Sequence, residues 1–172
     1  ARQRIEDEIK RILKDAMGEN TDAEGLVLTP EMKIISSEFG KNKGRLPWPV
    51  ERGVITSKYG KHKHEVLKLV EVDNKGVDLT TNPGEKIRAV FEGRISNVIS
   101  IKGANLTIII QHGEYFSVYQ NIVNAKVKKG DLVQAKQHIG ESYQVKGAGT
   151  SEIHFELWKG TSSVNPEIWL AR

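Results

Sequence analysis

The chain has 172 residues, of which 38% are hydrophobic and 28% are charged, so one folded domain with a sizeable core is expected. Its net charge is +4 and it contains no cysteine, which excludes disulfide scaffolds, thiol nucleophiles and Cys-based zinc sites. No apolar run approaches the ~18 residues of a membrane span, and an aromatic content of 6% without a recognisable binding motif argues against nucleic acid as a partner.

The first predicted element is an amphipathic helix over residues 1–17. Charged residues occupy one face, and the other carries a stripe at helical spacing, made of Ile5, Ile9, Ile12, Leu13 and Ala16. The chain starts without methionine or an apolar signal segment. We therefore expect a fragment or processed form, with this helix ending a longer upstream coiled coil and any targeting signal lying upstream.

Residues 18–50 contain a polar linker, a short helix and an extended segment. Thr29 and Pro30 have the pattern of an N-cap followed by proline at the first helical position, which predicts a helix to about residue 37 or 39. Two prolines exclude helix from residues 46–50. We interpret that segment as the entry strand of a β domain, with Trp48 as an anchor.

From residue 54 onward, short apolar segments alternate with glycines in a pattern that predicts antiparallel strands and turns. The turns are assigned to Gly84, Gly93, Gly103, Gly113, Gly130, Gly140 and Gly149. Asn165 and Pro166 predict a final short helix. The sequence thus predicts a mainly β, antiparallel domain over residues 46–172, preceded by a helical arm and linker over residues 1–45.

Positive charge is concentrated in residues 41–68, where eight basic residues stand against two acidic ones. Such a stretch would attract an anionic polymer, including peptidoglycan, or an acidic partner. A solvated basic loop is the simpler interpretation. His62 and His64 lie within it, and we interpret both as loop residues.

Seven short elements in consistent order resemble the LytM, or lysostaphin-like, zinc metallopeptidases of peptidoglycan. They are residues 59–64, 74–78, 84–93, 110–122, 127–140, 152–156 and 165–166. Residues 74–78 read Asn-Lys-Gly-Val-Asp where the family has His-x-Gly-x-Asp, and residues 152–156 read Glu-Ile-His-Phe-Glu where it has His-x-His-Phe-Glu. The resemblance implies the family's antiparallel β-sheet fold, of the duplicated hybrid motif type.

The resemblance also implies a zinc site, and this sequence departs from it. The family holds Zn²⁺ with two His and one Asp, and two further His position water. Asp78 and His154 match two ligands, but Asn74 replaces the third, and Asn121 and Glu152 replace the two further His. An amide oxygen suits Ca²⁺ better than Zn²⁺. We therefore expect no cofactor and no hydrolysis.

Murein hydrolase activators of the EnvC and NlpD type share this degeneracy, so the resemblance implies a non-catalytic, periplasmic regulator of a separate peptidoglycan amidase in cell-wall remodelling or cell division. The stripe of helix 1–17, with residues 31–38 as a second candidate, would restrain the groove, and the upstream coiled coil would link it to a membrane complex. The predicted partner-binding groove consists of Asn74, Asp78, Tyr119, Asn121, Glu152 and His154.

Two alternatives remain open. Glu152 and His154 project from the same side of a strand and could join Asp78 in an altered zinc site of an endopeptidase. The other alternative is a module that binds peptidoglycan itself through the basic stretch.

Overall fold

A computed structural model describes residues 2–19, 28–64 and 67–172. The helices are α1 (Arg2–Glu19), α2 (Pro30–Lys41) and a 3₁₀ helix (Pro166–Ile168). The strands are β1 (Val54–Ser57), β2 (Gly60–Lys63), β3 (Glu71–Asn74), β4 (Val77–Thr81), β5 (Lys86–Arg88), β6 (Gly93–Ser100), β7 (Leu106–His112), β8 (Tyr115–Val123), β9 (Leu132–Val133), β10 (His138–Ser142), β11 (Ser151–Lys159) and β12 (Ser162–Val164). No helix of these ranges combines the length and apolar character needed to cross a membrane.

The strands form one large antiparallel sheet and a separate two-stranded hairpin, which confirms the predicted fold class. The main order is β1-β4-β11-β8-β7-β6-β9, with β5, β10 and β12 attached beside this path. Among the described strands, β2 and β3 pair with each other and with no other strand. Strands β8 and β11 are neighbours in the interior of this order, so their side chains contribute to both faces of the sheet.

The sheet has an apolar cluster on each face, because successive side chains of a strand point to opposite sides. On β8, Tyr115 and Tyr119 belong to the larger cluster, whereas Phe116 and Val118 belong to the smaller one. The larger cluster is the core of the β domain. The smaller cluster is covered by α1.

Helix α1 lies on the smaller cluster through the stripe that the sequence predicted. Ile9, Ile12, Leu13 and Ala16 are buried there, beside Trp158 of β11. Such an 18-residue helix is marginally stable alone. Its stability therefore depends on this contact with the sheet.

Helix α2 is packed into the larger core. It begins as predicted, since Thr29 Oγ1 accepts a hydrogen bond of 3.3 Å from the backbone N–H of Met32. Near its end, the Phe39 ring stacks on Tyr115 and His112, with centroid distances of 4.6 and 4.8 Å. By packing, α2 belongs with the β domain, which differs from the predicted division between residues 45 and 46.

The predicted entry strand at residues 46–50 is wrong as a continuous strand. Within this segment, only Leu46 and Val50 form isolated bridges, because its two prolines have no N–H to donate to a ladder. The anchoring role of Trp48 is confirmed, since its Nε1–H donates a hydrogen bond of 2.7 Å to the carbonyl oxygen of Ala171.

Two predicted turn glycines lie inside strands instead. Gly93 is in β6 and Gly140 is in β10. A Cβ atom at Gly93 would lie 2.3 Å from the carbonyl oxygen of Gln111, so this glycine permits a close strand approach. The final helix is confirmed, but as one 3₁₀ turn whose first N–H groups are capped by Asn165.

A chain of buried hydrogen bonds crosses the larger core. The Val90 N–H lies 3.0 Å from Tyr119 Oη, which is 2.9 Å from Ser117 Oγ. His112 Nε2 is 2.7 Å from Ser117 Oγ, and His112 Nδ1 is 2.7 Å from the carbonyl oxygen of Glu92. The two hydroxyls and the imidazole can each donate once and accept once when His112 is neutral with its proton on Nδ1. Burial favours this form and lowers the pKa of His112 to about 4.

This histidine predicts a loss of stability in acid. Between pH 6.5 and about pH 4, His112 binds a proton in the unfolded chain but not in the folded one. The free energy of unfolding therefore decreases as the pH is lowered through this range. Between pH 7 and pH 5 we expect its contribution to drop by about 2 kcal/mol. Urea unfolding of wild type and His112→Gln at several pH values isolates the contribution of His112. A difference in free energy of unfolding between the two proteins that does not change with pH would contradict the prediction.

Candidate functional site

A polar pocket of about 310 Å³ opens on the sheet face that α1 covers. Strands β4, β8 and β11 form its floor, and the first turns of α1 form one wall. We call it the polar pocket; its lining residues are Ile5, Glu6, Asp78, Gly103, Ala104, Gln120, Asn121, Glu152, Ile153, His154 and Glu156.

The polar pocket contains four of the six predicted groove residues and lacks Asn74 and Tyr119. Asn74 is buried at the end of β3, where its Oδ1 accepts a hydrogen bond of 3.1 Å from the N–H of Gly76. Tyr119 points into the larger core on the opposite face. These two residues therefore do not line the polar pocket.

The misplacement of Tyr119 has a local cause at Asn121. Residues two apart on a regular strand share a face, but the pairing of β7 with β8 shifts register at this point. The backbone of Asn121 has φ = 72°, in the left-handed region that Asn tolerates better than most residues. Gln120 therefore lines the pocket beside Asn121.

His154 is the centre of the pocket floor. It pairs directly across the sheet with Asp78 on β4, and its Nδ1 lies 2.6 Å from Asp78 Oδ1. Its Nε2 lies 2.7 Å from Glu156 Oε2, and the other Glu156 oxygen accepts a hydrogen bond of 2.8 Å from Trp158 Nε1–H. The His154 ring thus connects Asp78 to Glu156, and Glu156 in turn binds Trp158, which lies beneath α1.

These neighbours make His154 a cation at neutral pH. Burial alone would lower its pKa, but the hydrogen bonds and charges of Asp78 and Glu156 outweigh that effect and raise the pKa to about 9. Both ring nitrogens then carry protons, and each proton is donated to a carboxylate. A metal ion at either nitrogen would therefore have to displace a proton and a carboxylate partner.

The residues of the pocket do not fit a zinc ion. Asp78 and Glu156 lie on opposite nitrogens of one ring, so these groups point at each other instead of at a common centre. Within residues 2–19, 28–64 and 67–172, no three His, Cys, Asp or Glu side chains are grouped to hold a metal ion. The altered ligand set of Asp78, Glu152 and His154 is accordingly not assembled.

Asn121, which stands at the position of a family histidine, has a structural role at the pocket rim. Its Nδ2 donates a hydrogen bond of 2.6 Å to the carbonyl oxygen of Glu152, and its Oδ1 accepts one from Asn105. Its amide therefore joins β8 to β11 and to the turn before β7. Such a group holds the shape of the rim and supplies no base for catalysis.

Sequence reasoning missed the part that Glu156 plays. Its side chain is fully buried, yet it lies on the pocket face of β11 with His154. The signal was present, since residues 152, 154 and 156 share one face of a strand. The interpretation used the first two positions and omitted the third.

The basic stretch forms a less uniform surface than its composition predicts. In the β2–β3 hairpin, Lys61 lies opposite Asp73, and Lys63 lies opposite Glu71. The ring of His62 is close to the carbonyl oxygens of Lys58 and Lys63, at 2.9 and 3.2 Å. Opposite charges across the hairpin reduce its attraction for an anionic polymer.

The model of Peptidase family M23 matches residues 72–166, more than half of the chain. Murein hydrolase activator EnvC of Escherichia coli is 29% identical over 135 residues, which are 78% of this chain and 31% of that protein. Murein hydrolase activator NlpD of the same organism is 31% identical over 125 residues, which are 72% of this chain and 30% of that protein. This chain spans about a third of the length of these relatives.

Among solved structures, a zinc-containing peptidase from Vibrio cholerae is similar in fold, with a TM-score of 0.61 and 25% identity. The similarity covers 73% of this chain and 40% of that one. The resemblance read from the sequence motifs is therefore confirmed.

The buried carboxylate of Glu156 predicts a large loss of stability when its charge is removed. In Glu156→Gln, the amide still accepts from Trp158, but His154 loses one of its two counter-charges. Breaking a buried pair typically costs about 3–5 kcal/mol. The matched control is Glu114→Gln, which breaks an exposed pair with Lys159 and should cost about 0–1 kcal/mol.

Urea unfolding at pH 7 measures both variants. Equal, small losses in the two would contradict a charged His154 held between two carboxylates.

Proposed function

The chain belongs to peptidase family M23, and from this premise we propose that it is a non-catalytic regulator that activates a separate peptidoglycan amidase. Its named relatives EnvC and NlpD are murein hydrolase activators. The observation that carries the proposal is the closed arrangement of Asp78, His154 and Glu156, in which the remaining donors of the family site bind one another.

A peptidase site that has lost its metal keeps a preformed concave surface. Such a surface, with a few polar groups at defined positions, is suited to binding a segment of another protein. In this chain the surface is the polar pocket together with the apolar sheet face beside it. We propose that the amidase docks there through Asp78, Asn121, Glu152 and His154.

Helix α1 occupies that surface, and we propose that it restrains the groove. Ile5 and Glu6 line the polar pocket, and the buried stripe along the rest of the helix covers Phe116 and Trp158. Displacing α1 would uncover the pocket and the apolar face together. A helix that is marginal alone and stable only when docked is suited to such a two-state switch.

Location and wider partners are proposed on the same premise. We propose that the protein acts outside the cytoplasm, in the periplasm, where the cell wall on which the amidase would act lies. A coiled coil upstream of α1 would link it to a membrane complex and supply the signal that moves the arm.

Releasing α1 should strengthen amidase binding. Ile9→Asp with Leu13→Asp places two charges in the smaller cluster and should detach α1, raising affinity for the amidase at least tenfold. Lys10→Asp with Lys14→Asp introduces the same residues on the exposed face and should leave affinity within about twofold. A shift in tryptophan emission reports release independently, because Trp158 would become exposed to water while Trp48 and Trp169 stay with the larger cluster.

Weaker or unchanged amidase binding in a variant whose Trp158 emission has shifted would argue against α1 as a restraint. Unchanged binding without an emission shift would show that the two charges failed to detach the helix, and Ile12→Asp would then be added.

Purified peptidoglycan should remain intact when incubated with this protein and Zn²⁺. An M23 relative with the complete ligand set is the positive control, and chromatography of released fragments is the measurement. Zinc-dependent release of fragments by wild type, and its loss in His154→Ala, would contradict the non-catalytic proposal.

A further inference from the structure

A second and larger cavity, of about 580 Å³, lies between α1 and the end of β6. Helix α1 contributes Arg4, Arg11 and Ile12, and the sheet contributes Ile99 together with Ile101 and Lys102 of the adjoining turn. We call it the α1–β6 cavity. Its volume falls within the range of about 300–1,000 Å³ that is usual for small-molecule sites.

The lining combines an apolar floor with a basic rim. Ile12 is buried, and Ile99 and Ile101 are partly buried against the smaller cluster. Four basic and two acidic side chains line the cavity, which gives it a formal charge of +2; they are Arg4, Arg11, Lys102, Lys129, Glu8 and Asp15.

The two acidic side chains are both engaged by one arginine. Arg11 forms ion pairs with Glu8 and with Asp15, the second at 3.5 Å. One arginine against two carboxylates leaves this group of three with a formal charge of −1. The surplus positive charge is therefore carried by the remaining basic side chains, including Arg4 on one wall and Lys102 on the other.

The cavity depends on the position of α1. One wall is the helix and the other is the sheet, so the site exists only while the helix is docked. A ligand that binds one of two states shifts the equilibrium toward that state. Any occupant that contacts both walls would therefore hold α1 in place.

We propose that the α1–β6 cavity binds a small anionic amphiphile, with a carboxylate or phosphate head and a short apolar chain, and that the bound molecule clamps α1 onto the sheet. The head contacts Arg4 and Lys102 from opposite walls, and the chain lies over Ile99 and Ile101. The effect on amidase activation rests on the proposed function, whereas binding and clamping do not.

Binding is tested by titration calorimetry on the full chain with octyl phosphate and octanoate, which distinguish the two head groups. Arg4→Glu with Lys102→Glu should weaken binding at least tenfold. Lys33→Glu with Lys126→Glu changes the net charge equally at exposed positions outside the cavity and should leave binding within about twofold. Neutral octyl glucoside should bind at least tenfold more weakly than either anion.

Clamping is tested by hydrogen–deuterium exchange of wild type with saturating octyl phosphate. The amides of α1 should exchange several-fold more slowly, and those of α2, which does not line the cavity, should be unchanged. Slowing in α1 that the Arg4 and Lys102 substitutions abolish supports the proposal.

Four outcomes would overturn the proposal: no binding of either anion, equal binding of octyl glucoside, binding insensitive to charge reversal at Arg4 and Lys102, or binding that leaves α1 exchange unchanged. None of these measurements contains an amidase, so their failure is distinct from failure of the activator proposal.

Discussion

The line of contacts from Asp78 through His154 and Glu156 to Trp158 is the interaction on which this sheet face depends. It begins in the polar pocket and ends in the apolar cluster beneath α1. The ring of His154 stands between the carboxylates of Asp78 and Glu156, and through Asp78 it joins β11 to β4. Buried ion pairs of this kind often contribute little net stability. Here the contacts fix the orientation of the side chains. Each carboxylate points at a nitrogen of His154, and the three groups do not point at a common centre.

The two helices are attached to the β domain in different ways. Phe39 of α2 belongs to the larger core and stacks among aromatic rings, so removal of α2 would disrupt the domain itself. Helix α1 contacts a separate cluster on the other face, through aliphatic side chains. The larger core therefore stays closed whether α1 is docked or displaced. This separation lets one face of the sheet serve as a binding surface without unfolding the other.

Much of the architecture was predictable, because glycine spacing, strand alternation and the cap residues Thr29 and Asn165 are local signals. Motif spacing also predicts that Asn74, Asn121 and Glu152 replace histidines of the family's zinc site, and this stays a prediction. The face of the sheet to which each side chain points was harder to predict from the sequence. A register shift at Asn121 breaks the alternation that would have placed Tyr119 in the groove, and only strand pairing reveals such a shift. The buried position of Asn74 at the end of β3 likewise depends on a contact with Ser57, which is distant in sequence.

The orientation of α1 has a mechanical consequence. Its first turns line the polar pocket, and Met17, near its other end, lies beside Gly160 at the far end of β11. Tension applied to the N-terminal end and directed away from the sheet would load the contacts one turn at a time, as in peeling, whereas tension along the helix axis would load the whole stripe in parallel, as in shear. Peeling needs less force than shear for the same total binding energy. Such a pull at the N-terminal end would thus expose the polar pocket first. The last turns of α1 would still contact the sheet, so the helix could bind again once the tension ended.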